Sequence, residues 1–287
     1  MTGPAAVAGG AAGPKAPGPE QAATLGAPSG LSSTERGQLA ALDAYSTHPL
    51  RFLLLGDSIS LTLGQGLSLD SVKHFGVSVI DRAKLGCDLD PTLPVMISGK
   101  PGPATPGCPT WTLAWHQLVA RYRPAVVGLL LGRWEAVDHL FGGQWVHVGE
   151  PAWDAHLVAE LDQAIDVLSS TGAKVILFTM PYVDPVLPPG QTVPFPENDP
   201  ARADAYNADV KAAARLRPKT ATVVDLNALL DPHGKFATTV DGVVVRWSDR
   251  IHISIAGGEL VQPVVLSTVV RLSLPRALRL RALASPS

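Results

Sequence analysis

Cysteine is scarce in this chain: Cys87 and Cys108 are the only two thiols in 287 residues. They form no C-x-x-C pair and no Cys/His cluster has zinc spacing, which argues against a thioredoxin-like centre or a zinc module. An excess of one charge is also missing. Twenty-three Lys and Arg stand against 25 Asp and Glu, a net charge of −2, so there is no electrostatic case for a nucleic-acid partner. His139, His147 and His156 lack the spacing of a metal-ligand set. No run of 18 or more apolar residues occurs, so no membrane-spanning helix is expected. The N-terminus lacks the basic-then-apolar order of a signal peptide.

What is there suits a folded core. Apolar residues make up 46% and charged residues 17% of the chain, in the range of globular domains. Residues 1–32 are the exception, being mostly Ala, Gly and Pro. Such a segment buries too little apolar surface to offset its ordering entropy, and a flexible linker or tail is expected. The globular domain is expected over 33–287, led in by a short helix over about 33–45.

Strand-like and helical patterns then alternate. Strands are predicted at Arg51–Leu55, Val77–Ile80, Ala125–Leu131, Lys174–Thr179 and Ala221–Asp225. Helices are predicted at Ile59–Lys73, Trp111–Tyr122, Trp153–Ser170, Ala201–Arg215 and Ile255–Val270. Pro- and Gly-rich stretches at 84–110 and 181–200 read as loops. The strands are apolar on both faces, as in a parallel sheet covered by helices on both sides. Cys87 and Cys108 fall in the first loop, either as a disulfide that closes it or as two reduced thiols; the disulfide is the expectation, and it implies an oxidising compartment.

Two short segments carry chemistry. Gly56-Asp57-Ser58 follows the first strand and opens a helix, where free N–H groups favour a developing oxyanion. On its own the triplet reads more readily as a helix cap. Asp249-Arg250-Ile251-His252 lies just before the last helix. A carboxylate three residues before a histidine reaches Nδ1 and leaves Nε2 free to take a serine proton. Alone, this segment reads as a surface Asp and a capping His. The pairing of an early strand-end serine with this late spacing changes the balance.

Together the two segments resemble the SGNH (GDSL-like) hydrolase superfamily over about residues 51–270. The resemblance implies a flavodoxin-like three-layer α/β/α sandwich with a central parallel sheet. It implies Ser58 as nucleophile, Asp249 and His252 as its partners, no metal and no prosthetic cofactor. Gly86, after the second strand, matches the family's oxyanion glycine, so the N–H groups of Ser58 and Gly86 are the expected oxyanion pair. The third family block departs from its usual G-x-N-D. Here it reads Gly132-Arg133-Trp134-Glu135, and Trp134 or Arg133 is the available replacement donor. G-x-W-E, the Gly86-Cys87 pair, Cys108 ahead of Trp111, and Trp247-Ser248-Asp249 are similar to the SGNH domains associated with membrane acyltransferase-3 proteins of high-GC bacteria. That likeness implies ester hydrolysis or O-acyl transfer on an acylated carbohydrate of the cell envelope, a membrane acyltransferase domain as partner, and an extracytoplasmic site of action. In that setting the Ala/Gly/Pro-rich start is a linker.

Two other readings remain at this point: a cytoplasmic sugar acyltransferase drawing on acyl-CoA, and a catalytically silent module that binds glycan or a partner. Trp145, His147 and Trp153 suit a sugar site by type and suit core or surface filler better. Asp57 is expected to shape the turn rather than serve as base. Removal of residues 1–30 should leave folding nearly unchanged. A fall in melting temperature of more than about 5 °C, on the order of 1–2 kcal/mol for a large domain, would show that they pack.

Overall fold

The computed structural model describes residues 49–284, except 98 and 106. The linker expected over 1–32 and the lead-in helix expected over about 33–45 lie outside the described residues. In chain order the elements are β1 (Leu50–Gly56), α1 (Ser58–Ser68), α2 (Ser71–Phe75), β2 (Val77–Asp81), β3 (Val95–Ile97), β4 (Lys100–Gly102) and α3 (Trp111–Tyr122). They continue with β5 (Val126–Leu130), β6 (Asp138–Phe141), β7 (Gln144–Val146), α4 (Pro151–Ser169), β8 (Lys174–Phe178) and α5 (Pro200–Leu216). The last are β9 (Ala221–Val224), α6 (Leu226–Leu230), the hairpin β10 (Thr239–Val240) and β11 (Val243–Val244), and α7 (Ile255–Ala284).

Five strands form an all-parallel sheet in the order β2-β1-β5-β8-β9. Counted within this sheet alone the order is 2-1-3-4-5, the flavodoxin-like winding, and ligands bind such sheets beyond the carboxyl ends of the strands. Phe52, Leu53, Leu54 and Leu55 of β1 are all fully buried. That absence of alternation follows from having helices on both faces. Helices α1 and α7 pack together on one face, and α3, α4 and α5 pack in series on the other. In α4 the buried residues Trp153, Leu157, Leu161, Ala164, Ile165 and Leu168 recur every three or four positions, so a single stripe faces the sheet.

The expected sandwich is therefore present, with three refinements. Predicted helix 59–73 is two helices, because Asp70 takes a left-handed φ of 49° between them. The loop expected over 84–110 contains β3 and β4, which join β6 and β7 in a small antiparallel sheet ordered β4-β3-β6-β7. The closing helix runs on to Ala284. Its first part, Ile255–Leu274, is long and apolar enough to cross a membrane by length and composition. Within this fold Val261, Val265, Leu266, Val269 and Val270 are buried. The buried Gln262 side chain donates to the carbonyls of Gly66, Leu67 and Leu69, closing the C-terminal end of α1.

Cys87 and Cys108 form the expected disulfide, with Cα atoms 4.8 Å apart and a sequence separation of 21. Both are buried. On a chain-entropy basis a closed loop of this length contributes about 3 kcal/mol. A Cys87→Ser/Cys108→Ser variant should lose about that much in urea unfolding. Both cysteines should also resist alkylation in native protein until a reductant is added. Ready alkylation of unreduced protein isolated from an oxidising compartment would contradict the bond.

Candidate active site

The site is built from the first strand outward. Gly56 has φ +134°, a conformation that side chains rarely adopt. A Cβ there would lie 1.8 Å from the Leu130 carbonyl oxygen. This close approach lets the chain turn sharply off the sheet, and Asp57 N donates to the same carbonyl at 3.2 Å. Asp57 then caps α1, its Oδ1 accepting from Ile59 N at 2.8 Å and Ser60 N at 3.4 Å. The turn-shaping role expected for Asp57 is thus what its geometry provides. Ser60 Oγ donates back to Leu55 O at 2.9 Å. Ser58 is left as the first residue of the helix, 6% exposed, beside the unsatisfied N–H groups of the first turn.

The Gly86 loop is tied to this turn from the neighbouring strand. Lys84 N donates to Gly56 O at 2.9 Å and Gly107 N to Gly86 O at 3.1 Å, while the disulfide follows immediately at Cys87. Gly86 itself has φ +66°. Further along, Leu89 is held twice: its N–H donates to Glu135 Oε1 at 3.2 Å and its carbonyl accepts from Trp111 Nε1 at 2.9 Å. Asp88 Oδ2 accepts from Thr105 Oγ at 2.9 Å and lies 3.2 Å from His139 Nε2. His156 Nε2 lies 2.8 Å from Asp90 Oδ1. Among the described residues the N–H groups of Ser58 and Gly86 make no hydrogen bond. They remain available as a pair of donors.

The third block supplies two further side chains. Arg133 pairs with the buried Glu197 at 3.2 Å and lies over the Trp134 ring, 5.1 Å from its centroid. Trp134 Nε1 is buried and has no hydrogen-bond partner. A buried donor without an acceptor is costly.

Asp249 and His252 meet as their spacing predicts. Asp249 Oδ2 is 2.6 Å from His252 Nδ1, and Oδ1 accepts from Ile251 N at 2.9 Å and His252 N at 3.1 Å. Burial pushes the Asp249 carboxyl up, but the bonds from His252 and from these two N–H groups outweigh it and hold the group below its ordinary value. An ionised carboxylate only accepts, so Nδ1 carries the proton and Nε2 of a neutral ring is the free acceptor. The segment is anchored on both sides. Arg250, at φ +62°, pairs with Asp184. Arg246 forms a fully buried ion pair with Asp231 at 2.7 Å.

The charges converge on Asp57. Burial raises its carboxyl to about 6, against hydrogen bonds from Ile59 and Ser60 and the nearby charges of Arg133 and His252. His252 and Arg133 are therefore neighbours of the Ser58 turn, although no Ser58–His252 hydrogen bond is formed. Glu135 is also raised well above its ordinary value, by burial first and then by Asp88 and Asp57. Sequence reasoning missed this buried set of Asp88, Glu135 and His139. Only Glu135 carried a signal, as a charged residue directly after a strand-end Gly-x-Trp. Trp153 is core, fully buried and stacked on His139. Among the described residues no group of three or more His, Cys, Asp or Glu is placed to hold a metal ion.

Solved structures with the same fold include a putative acylhydrolase from Bacteroides fragilis, 15% identical, covering 85% of this chain and 99% of that one with a TM-score of 0.51. A GDSL-like lipase from Bacteroides thetaiotaomicron is 13% identical over 83% of this chain and 97% of that one, with a TM-score of 0.50. An α/β hydrolase from a Lake Arreo metagenome is 16% identical over 80% and 98%, with a TM-score of 0.50. No curated protein sequence matches the chain. The class is that of the SGNH or GDSL-like serine esterases. More narrowly, a family model described as the SGNH domain fused to AT3 domains matches residues 31–267, and the chain belongs to that family.

The raised Asp57 carboxyl has a sign that can be measured. Its folded value of about 6 exceeds the ordinary 3.8, so its protonated form is preferred in the fold. That preference stabilises fully below the unfolded value and is lost as pH rises through about 6. Asp57→Asn removes the loss. The variant should therefore gain stability relative to the parent between pH 4 and pH 8, by up to roughly 3 kcal/mol at 1.36 kcal/mol per unit. Urea unfolding at the two pH values checks it; a constant difference between the two proteins would contradict the raised value.

Proposed function

We propose that the chain is a serine-dependent esterase or O-acyltransferase that forms an acyl-enzyme on Ser58 and acts on an acylated carbohydrate of the cell envelope. The observation that carries this reading is the Asp249–His252 pair, 2.6 Å apart, near a serine that opens α1 beside two unengaged N–H groups. His252 Nε2 takes the Ser58 Oγ proton as Oγ attacks the ester carbonyl carbon. The N–H groups of Ser58 and Gly86 hold the oxyanion. Collapse breaks the ester C–O bond, and the leaving alcohol takes the proton from His252. Water or a sugar hydroxyl then attacks the acyl-enzyme by the same route in reverse.

In this reading Trp134 stands in for the usual asparagine. Its buried, unpartnered Nε1 supports a third oxyanion donor. Arg133 is committed to Glu197 and to the Trp134 ring, so its contribution is to orient the indole. The disulfide favours an oxidising, extracytoplasmic setting over a cytoplasmic acyl-CoA-dependent enzyme. Membership of a family fused to AT3 domains supports a membrane acyltransferase as partner, passing acyl groups to or from this domain.

Ser58→Ala should abolish both fluorophosphonate labelling and turnover of 4-nitrophenyl acetate. Asp249→Asn should lower kcat/KM on the same ester far more than Asp57→Asn. In a Ser-His-Asp triad the corresponding change costs about 10⁴-fold, whereas Asn caps a helix about as well as Asp. Greater damage from Asp57→Asn in folded protein would show that Asp249 is not the partner of His252. Undiminished turnover by Ser58→Ala would show that Ser58 is not the nucleophile, and a parent protein without any turnover would favour the silent module.

A further inference from the structure

Most cations with a described partner are matched to carboxylates. Arg133, Arg202, Lys211, Arg217, Arg246 and Arg250 each pair with an Asp or Glu. Against that background, one groove beside the Gly86 loop differs. It is a cavity of about 270 Å³ between the segment after β2 and helix α3, with Arg82, Lys84 and Arg121 on its rim and Cys108, Trp111 and Trp115 among its apolar lining. None of the three cations pairs with a carboxylate among the described residues. Neither wall has an acid to offer: 82–87 reads Arg-Ala-Lys-Leu-Gly-Cys, and α3 has no Asp or Glu.

Two of these cations are deliberately placed. Arg82 Nε donates to Tyr122 Oη at 2.9 Å, and its guanidinium lies 5.0 Å from the Tyr122 ring centroid. The Arg121 guanidinium lies 5.4 Å from the same centroid. Both guanidinium groups thus lie within about 6 Å of one tyrosine ring centroid, in reach of a cation–π interaction. The nearest carboxyl in sequence, Asp81, lies against Gly64 and accepts from Ala83 N. Burial raises it to about 6 against the lowering charge of Arg82, and it does not line the groove.

The groove is joined to the proposed active site by covalent and hydrogen-bond links. Lys84 N donates to Gly56 O, two residues before Ser58. Cys108 of the groove is bonded to Cys87, the neighbour of Gly86. We propose that the groove is a subsite for the anionic group of the substrate, so that the preferred substrate is an acylated saccharide bearing a carboxylate or phosphate. The inference rests on the esterase reading and names its substrate class. The volume lies just below the roughly 300–1,000 Å³ of drug-sized ligand sites, room for one charged sugar unit rather than a length of polymer. The arginines present forked donors suited to carboxylate and phosphate oxygens.

The test compares O-acetylated methyl glucuronide with O-acetylated methyl glucoside as ester substrates of the intact protein. The charged ester should have a kcat/KM at least tenfold higher, carried by KM, and the ratio should fall as salt rises from 20 to about 300 mM because screening shortens to within several ångströms. Arg82→Gln/Arg121→Gln should bring the ratio towards one. The ratio is internal to each protein, so a general loss of activity does not mimic the result. Calorimetry of methyl glucuronide and glucose 6-phosphate on Ser58→Ala reads the subsite without catalysis: binding by the parent groove and loss of binding in Arg82→Gln/Arg121→Gln support it even if turnover fails. Equal kcat/KM values for the two esters would overturn the proposal, as would binding of the anions unchanged in the double variant. Binding to phosphatidylglycerol vesicles with no binding of either soluble anion would also overturn it, since the cations would then serve a lipid surface.

Discussion

Gly56 must pass so close to the Leu130 carbonyl that no side chain fits between them, and the geometry of the candidate site descends from that approach. It ends β1 in a turn rather than a continued strand. It also presents the Leu130 carbonyl to Asp57 N and frees the Gly56 carbonyl for Lys84 N. The first bond sets the start of α1 and the second sets the height of the Gly86 loop on the neighbouring strand. Two backbone donors from different loops are thereby fixed against one sheet edge. A substituent at Gly56 would separate β1 from β5 or unwind the turn, and either would move Ser58 and Gly86 relative to one another.

Beneath this turn the protein carries charges that burial disfavours. Asp57, Asp88 and Glu135 are almost completely buried, and Asp88 and Asp57 add to burial in raising Glu135. Their hydrogen bonds explain why they are tolerated: Asp57 closes α1, Asp88 holds Thr105 and meets His139, and Glu135 holds Leu89. The same logic applies on the other side of the site. Burial pushes the Asp231 carboxyl up to about 6 and the Arg246 guanidinium down, so desolvation exceeds their mutual attraction. What the pair supplies is position. Asp231 also accepts from Tyr182 N and Ala237 N, which binds two loops to the segment carrying Asp249 and His252.

Much of this was legible in the sequence, and the reasons differ by element. The main-sheet strands announce themselves because double-sided burial makes them continuous apolar runs, and α4 because its stripe has helical spacing. Trp111–Tyr122 has helical spacing that stops before Pro124, and α3 has the same bounds. The small sheet was not legible. Its strands are three or four residues long, one contains Pro101 and Gly102, and its pairing is set by contacts between 95–102 and 138–146 that no local pattern records. The break between α1 and α2 was missed for a related reason: Asp70 in a left-handed conformation is permitted, not required, by its residue type. In the site, Ser58, Asp249 and His252 stand at short fixed spacings from recognisable boundaries. Asp88, Glu135 and His139 meet only through the fold, and their types alone suggest solvated charge.

The direction from which the site is held bears on what it can do. The Gly86 loop is fixed from below and from one side by the disulfide, by Glu135 and by Trp111. The His252 segment is fixed from the other side by the Arg246 and Arg250 pairs. Ser58 has no hydrogen bond to His252, so the proposed triad requires the two side chains to approach one another. Sites assembled on anchored elements keep their donors aligned without reorganisation during reaction, which is the source of oxyanion stabilisation. In the proposed mechanism the choice between water and a sugar hydroxyl as second acceptor falls to whatever occupies the mouth of the site. Both nucleophiles would use the same histidine and the same donors, and an acceptor held nearby would outcompete water by effective concentration rather than by any change in the proposed catalytic residues.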